Sequence, residues 1–330
     1  MSSTRESPVA DPLRLRQIPL TIIERLTGTL SCGRGPIELA VMTYCAGGHL
    51  LIEDVPGTGK TTLARALAAC TGARMHRIQF TSDMLPSDLT GVSVLDRAEG
   101  GFRFVPGPLF CDIVLADEIN RANPKVQAAM LEAMEERSAS VDGVTHPLPD
   151  PFFVIATQNP IEMEGTYPLP EAELDRFMAR CAIGYPNPAA ERRMLMSPSR
   201  TDPVRAIRPV CAATDMHAVI AAAAHVHVSE AVADYAVSIL AAYREHPLVT
   251  LGPSPRAGLA LLAMSRARAW LKGQDAVWPG DVRTMAPAVL DHRIRLDGRT
   301  ASGAGKTVAS VTQEVLSEVA APSSGTRRRP

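Results

Sequence analysis

Short apolar runs alternate with longer amphipathic stretches over the first half of the chain, and amphipathic stretches dominate the second. The runs His49-Leu50-Leu51-Ile52, Arg77 to Phe80, Ile113-Val114-Leu115-Ala116, Phe152-Phe153-Val154-Ile155-Ala156 and Cys181-Ala182-Ile183 have the length and density of buried strands. Between them lie helical patterns. Residues 17–31 put Ile18, Ile22, Ile23 and Leu26 on one side, and a second helix starts at Pro36 and carries Leu39 and Met42. Further helices are expected over Thr61 to Ala69, over Pro124 to Glu136 and, briefly, within Leu169 to Phe177. The stretch Thr81 to Phe110 is irregular, with a short helix or turn at Met84 to Leu89. Val92-Ser93-Val94 and Phe102-Arg103-Phe104 alternate there as a hairpin does. A second small hairpin over 138–149 turns at Asp142-Gly143.

Strands separated by helices predict an α/β fold, a three-layer core around a parallel sheet, over residues 15–186. The turn-rich Gly184-Tyr185-Pro186-Asn187-Pro188 closes it. Helices at about 189–196, 214–223, 229–244, 255–271 and 281–293 then predict a small all-α lid domain over 187–296. Residues 1–14 are expected to be a flexible tail. So, largely, are residues 297–330, where Gly, Ser, Thr and Arg accumulate, although Val308 to Ala321 is amphipathic enough to dock.

Composition narrows the class. The chain has 330 residues, 46% hydrophobic and 21% charged, with mean hydropathy +0.03, which is a globular balance. A formal charge of -1 gives no global attraction to nucleic acid. Six scattered cysteines (32, 45, 70, 111, 181 and 211) form no close pair at ligand spacing and read as reduced thiols. No apolar run reaches the roughly 18 residues of a membrane span. Met1 to Pro12 carries Arg5 and Glu6 and lacks an apolar signal core. The expected location is the cytoplasm, with peripheral recruitment to a membrane by a partner left open.

The most specific chemistry is the loop Pro56-Gly57-Thr58-Gly59-Lys60-Thr61-Thr62, set between the first strand and a helix. Consecutive backbone N–H groups in such a loop point inward, and the helix N-terminus adds a favourable field for phosphate. Gly57 and Gly59 permit the tight path, Lys60 reaches the β- and γ-phosphates of ATP, and Thr61 offers its hydroxyl to Mg²⁺. Asp54 stands where the first glycine of the motif is usual, so its carboxylate is expected to turn away from the phosphates or to cap the loop. A similar string, Ser302-Gly303-Ala304-Gly305-Lys306-Thr307, lacks a preceding buried strand and reads as a linker.

Asp117 ends a strand about sixty residues after the loop, where it can hold the Mg²⁺ water shell; Glu118 can polarise the attacking water. The bland alternative for this pair is a cap at a strand exit. Asn159, just past strand 152–156, can orient that water, or can simply form an Asx turn before Pro160. Arg176, in Leu174-Asp175-Arg176-Phe177, can neutralise charge on a neighbouring subunit's γ-phosphate, against a surface ion pair with Asp175 or Glu173; Arg180 is a spare. Arg256 follows Ser254-Pro255 on the first turn of a lid helix, where it can touch the γ-phosphate and report its loss by moving the lid, against a local packing role.

Together these blocks resemble the AAA+ superfamily and, within it, the MoxR family. Glu53 to Thr61 looks like its phosphate loop, including the acidic residue at 54. Leu115-Ala116-Asp117-Glu118-Ile119-Asn120-Arg121-Ala122, continued by Leu131 to Glu136, looks like its acid-pair segment. Ala156-Thr157-Gln158-Asn159-Pro160 with Glu164 to Pro170 is similar to its sensor block, and Glu171 to Phe177 to its arginine-finger helix. The resemblance runs from about residue 15 to 296. It makes residues 81–108 the insertion in helix 2 that marks this clade, and 138–149 the hairpin before the first sensor. It implies a homo-oligomeric ring, usually a hexamer, with Arg176 acting in trans. It also implies ATP/ADP and Mg²⁺ as ligands, a partner containing a von Willebrand factor A domain, and chaperone-like maturation or activation of complexes, sometimes by assisting metal insertion.

Two other readings remain. A nucleic-acid-directed motor needs basic hairpins, yet 138–149 offers only His146 and Asp142. In 81–108, Arg97 and Arg103 are offset by Asp83, Asp88, Asp96 and Glu99. A nucleotide-gated scaffold with little turnover conflicts with intact Lys60, Asp117 and Glu118. The protein substrate is not legible in the chain.

Overall fold

A computed structural model describes residues 12–97, 100–160, 165–196 and 202–322; Glu99, Glu164 and the ends of both expected tails lie outside them. Helices α1 (Pro12–Thr29) and α2 (Arg34–Cys45) precede strand β1 (Leu50–Glu53), helix α3 (Lys60–Thr71) and strand β2 (Met75–Gln79). Both α1 and α2 begin earlier than expected: Pro12, Leu13 and Arg14, placed in the flexible tail by the sequence, open α1 with Leu15 already buried, and exposed Arg34 and Gly35 precede Pro36 in α2. Next come α4 (Pro86–Thr90), the hairpin β3 (Gly91–Asp96) and β4 (Gly101–Pro106), strand β5 (Ile113–Asp117) and helix α5 (Pro124–Glu136). The second hairpin is β6 (Ser138–Val141) and β7 (Val144–Pro147), joined through Asp142 (φ 51°) and Gly143 (φ 78°), a left-handed pair suited to a two-residue turn. Strand β8 (Phe153–Gln158), helix α6 (Glu171–Leu174) and strand β9 (Ala179–Cys181) complete the α/β part.

The five-stranded sheet has order β2-β5-β8-β1-β9, and every pairing in it is parallel. Its central strands are apolar throughout because both faces are covered. Leu50, Ile52, Ile113, Leu115, Phe153 and Ile155 face one core; Leu51, Val114, Ala116, Val154 and Ala156 face the other. The first core runs on through α1 and α2 into the lid. The lid comprises α7 (Pro188–Met196), α8 (Ala213–Ala224), α9 (Glu230–Glu245), α10 (Pro255–Leu271) and α11 (Pro279–Leu290), with a two-stranded antiparallel pair, β10 (Val249–Leu251) and β11 (Arg295–Leu296). The expected helix 281–293 ends at Leu290 and tightens into a 3-10 turn over Asp291–Arg293.

Two expectations need correction. The last sheet strand is Ala179–Cys181, not 181–183, because the N–H groups of Ile183 and Gly184 donate to the Asp54 carboxylate instead of a neighbouring strand. The described part of the expected C-terminal tail is structured: α12 (Gly298–Gly303) and α13 (Val308–Glu318) follow β11, and α13 buries Val311, Thr312, Val315 and Leu316 against the lid core. The Gly303-Ala304-Gly305-Lys306-Thr307 string joins these helices. Thr307 accepts from the N–H of Ser310 as the cap of α13, and Lys306 pairs with Glu314. Among the described residues, no helix is long and apolar enough to cross a membrane.

Candidate functional site

The phosphate-loop motif leaves the C-terminal end of β1, the end of a parallel strand where ligands of open α/β sheets bind. Gly57 (φ 83°) and Gly59 (φ 94°) are left-handed with open space around them, so backbone conformation, not crowding, requires glycine there. Pro56 is exposed and Thr58 is buried, its hydroxyl donating to Val55 O at 3.2 Å. Gly59 caps α3 without a side-chain bond, and no acidic residue lies in the helix's first turn, which leaves its N–H groups and dipole to a ligand. Lys60 curls back and donates to Asp54 O at 2.6 Å and Val55 O at 3.2 Å. Burial lowers the Lys60 pKa, while the Asp54, Asp117 and Glu118 carboxylates oppose that shift. Thr61 and Thr62 are half-buried on the first turn. A cleft of about 590 Å³ opens over Gly57, Thr58, Gly59 and Thr62, walled by Leu30 and Cys32 on one side and by Pro186 and the lid residues Arg193 and Met194 on the other.

Asp117 ends β5, two strands from the loop, and Glu118 follows it; Asn159 leaves β8, the strand between. Asp117 is buried. Its Oδ1 accepts from the Thr157 hydroxyl at 2.6 Å, and its Oδ2 from Arg77 Nη2 at 2.7 Å and Nε at 3.0 Å. The same Thr157 oxygen accepts from the Glu118 N–H at 3.0 Å, so one hydroxyl joins both acids to β8. Glu118 has φ 57°, a left-handed backbone that costs a non-glycine residue energy and turns the chain sharply after the strand. Its carboxylate accepts from Gln79 Nε2 at 2.7 Å and pairs with Arg121 at 3.1 Å. Asn159 is half-buried at the strand end.

The arginines form a separate centre. Arg176 Nε lies 3.1 Å from one oxygen of Glu135, and Arg256 Nη1 lies 3.1 Å from the other. Glu135 lies in the last turn of α5, while Arg256 lies in the first turn of α10 behind its cap Ser254, whose hydroxyl donates to Asp175 at 2.8 Å. Asp175 pairs with buried Arg293 at 2.7 Å; burial presses the Arg293 pKa down to about 10 against the pull of Asp175. These groups line a pocket of about 330 Å³ that shares no lining residue with the loop cleft. Arg256 therefore stands with Arg176 and not over the phosphate loop of its own chain. The spare candidate Arg180 is held by Glu53 at 2.5 Å.

Thr157, Arg77, Gln79 and Glu135 escaped the sequence reading. Arg77 and Gln79 had a signal: two polar residues two apart on a strand of an otherwise apolar sheet face the same way. Register puts Gln79 opposite Asp117. Glu135 had none, since its partners Arg176 and Arg256 come from two distant segments.

Residues 49–179 match the ATPase family associated with various cellular activities, and residues 241–315 match the AAA lid domain. An uncharacterised Bacillus subtilis protein, YeaC, is 46% identical over 91% of this chain and 93% of its own length. Chaperone MoxR1 of Mycobacterium tuberculosis is 40% identical over 79% of this chain and 71% of its own. A crystal structure from Cytophaga hutchinsonii, described as a candidate ATPase, superposes with a TM-score of 0.86 at 33% identity, covering 94% of this chain and 97% of the other.

Proposed function

This chain belongs to the MoxR family of AAA+ ATPases, and from that premise we propose that it hydrolyses ATP to drive remodelling, maturation or activation of a protein complex. The observation that carries the reading is the placement of the loop lysine and the acid pair at the same edge of one parallel sheet: Lys60 follows the C-terminal end of β1 and Asp117 and Glu118 stand at the C-terminal end of β5, with only β8 between them. In the proposed reaction, Lys60 leaves the carbonyls of Asp54 and Val55 for the β- and γ-phosphates. Glu118, released from Gln79, takes a proton from water as its oxygen attacks the γ-phosphorus, and ADP departs. Asn159 orients the water.

The donor set suits magnesium: Thr61 and Asp117 offer oxygen only, and no cluster of three or more His, Cys, Asp or Glu exists among the described residues to favour another metal. Asp117 keeps lone pairs beyond those facing Thr157 and Arg77, so the two residues would hold the ion, which supplies charge neutralisation to the phosphates.

Arg176 and Arg256, bound to one carboxylate away from their own loop, are read as a pair directed at a neighbour's γ-phosphate in a homo-oligomeric, hexameric ring. A von Willebrand factor A protein is the proposed partner and the cytoplasm the proposed location. Protein is favoured over nucleic acid as the cargo because the β3–β4 hairpin exposes apolar side chains: Phe102 is 78% and Leu95 57% exposed, and Arg103 lies 3.8 Å from Asp96.

The test combines three variants. K60A should lose productive nucleotide binding, and E118Q should hold ATP without turnover. Mixing R176A with E118Q should restore part of the activity. Rapid turnover by E118Q would remove the proposed base, and no rescue in mixed rings would remove the trans assignment.

A further inference from the structure

Asp54 occupies the mouth of the phosphate loop, yet its side chain serves the lid hinge. Its N–H extends the β1–β8 ladder to Gln158 O at 3.2 Å. Its Oδ1 accepts from the Val55 N–H at 2.8 Å, and its Oδ2 accepts from Ile183 N–H at 2.8 Å and Gly184 N–H at 2.7 Å. Its carbonyl accepts from Lys60 Nζ at 2.6 Å. The residue is only 8% exposed. Ile183 and Gly184 (φ 73°) begin the connection to α7, and α7 brings Arg193 and Met194 to the far wall of the loop cleft. One residue thus holds the resting position of the phosphate-binding lysine through its backbone and the origin of the lid through its side chain.

We propose that Asp54 is a positioning residue that couples occupancy of the phosphate loop to the lid hinge. The proposal rests on the nucleotide reading of that loop. When phosphates draw the Lys60 ammonium away, the Asp54 carbonyl loses its strongest partner and the peptide is free to rotate. Its carboxylate is bonded to two consecutive hinge amides, so a rotation of this residue displaces Ile183 and Gly184 and, through them, α7. A glycine here would still give a phosphate loop, but nothing would link that loop to the hinge except contacts across the cleft. A carboxylate is required rather than an amide, because all three of its donors are backbone N–H groups and an amide NH₂ would face one of them donor to donor.

Amide exchange reads the link directly. In the E118Q background, which retains ATP, exchange over 183–196 is followed with and without ATP and magnesium, alongside nucleotide affinity by fluorescence titration. The parent should show an ATP-dependent change at Ile183 and Gly184. D54A should keep its affinity within about threefold, lose that ATP-dependent change, and raise basal exchange at the same amides about tenfold, the scale of one lost charged hydrogen bond. D54N, close in shape and with one acceptor, should fall between the two, and it carries the test if D54A does not fold. With Glu118 intact, D54A should lower kcat about tenfold with KM within about threefold, since coupling and not substrate binding is lost. An ATP-dependent change in D54A or D54N as large as the parent's overturns the proposal. So does a loss of nucleotide affinity of about tenfold or more, which would make Asp54 a part of the loop alone. A parent that binds no nucleotide fails at the site reading itself and removes the coupling with it.

Discussion

Replacing Thr157 with valine tests whether the acid pair is held by a single hydroxyl. Thr157 is fully buried on β8; it donates to Asp117 Oδ1 at 2.6 Å and accepts from the Glu118 N–H at 3.0 Å. Valine keeps the branched shape, so almost no cavity forms and the loss is polar. A hydrogen bond to a charged group contributes about 1.5–3 kcal/mol, and an N–H left unpaired in the interior costs about 1–3 kcal/mol. Arg77 still holds Oδ2 of Asp117, so the acid keeps one partner and the sum belongs near the low end, about 3 kcal/mol. For a chain of this size that is a fall of roughly 5 °C in thermal midpoint. The freed Glu118 backbone also lets a residue already held at φ 57° relax, so T157V should lose about tenfold or more in ATP turnover. T157S retains the hydroxyl and should stay within about 1 kcal/mol of the parent, because only a methyl is lost. The measurements are melting curves by circular dichroism and steady-state ATPase rates. A T157V protein that melts within 1 °C of the parent (about the error of such curves) and turns over ATP at the parental rate would refute the bracing role.

Three further outcomes follow from the geometry. Glu135 holds Arg176 and Arg256 in a partly exposed pair of contacts worth about 0.2–1 kcal/mol, so E135Q should melt like the parent. If the carboxylate competes with a neighbour's phosphate, E135Q should raise turnover at low ATP roughly threefold; a decrease would mean that it orients the arginines instead. Burial presses His49 down to about 3 and His292 well below its ordinary value, so the folded protein keeps both neutral while the unfolded chain takes up protons below about pH 6.5. Stability should therefore be nearly complete at pH 7.5 and fall as pH drops towards 3, by about 1.4 kcal/mol per histidine between pH 7.5 and 5.5; unchanged melting at pH 7.5 and 5.5 would contradict this. A chain ending at Leu296 loses buried Val311, Val315 and Leu316, about 5 kcal/mol of apolar burial, and should melt about 8 °C lower or precipitate; parental melting would show that α13 adds nothing.

The strands were legible because a sheet covered on both faces demands apolar residues at consecutive positions, and the central strands of this chain supply them. Pro124 and the capping Asn123 mark the start of α5, and Asp142-Gly143 marks the hairpin turn, for equally local reasons. The end of β9 was not legible, because it depends on Asp54, about 130 residues away, taking the amides of Ile183 and Gly184. The docking of α13 was half visible: its amphipathic face predicted burial somewhere, while the surrounding Gly and Ser suggested a loose tail.

The loop and the acid pair are short-range objects: glycine spacing, one lysine and a strand ending in two carboxylates specify their chemistry wherever the backbone is built correctly, and the sequence alone carried that much. The string Gly305-Lys306-Thr307 marks the limit. It too precedes a helix, but Thr307 spends its oxygen on the α13 cap and Lys306 faces Glu314, with no parallel strand feeding it. Only the tertiary structure decided that Thr157 ties both acids to β8, that Asp54 faces the hinge, and that Arg256 joins Arg176 on Glu135. Each of those contacts joins segments far apart in the chain, and nothing local determines which distant donor reaches a given carboxylate.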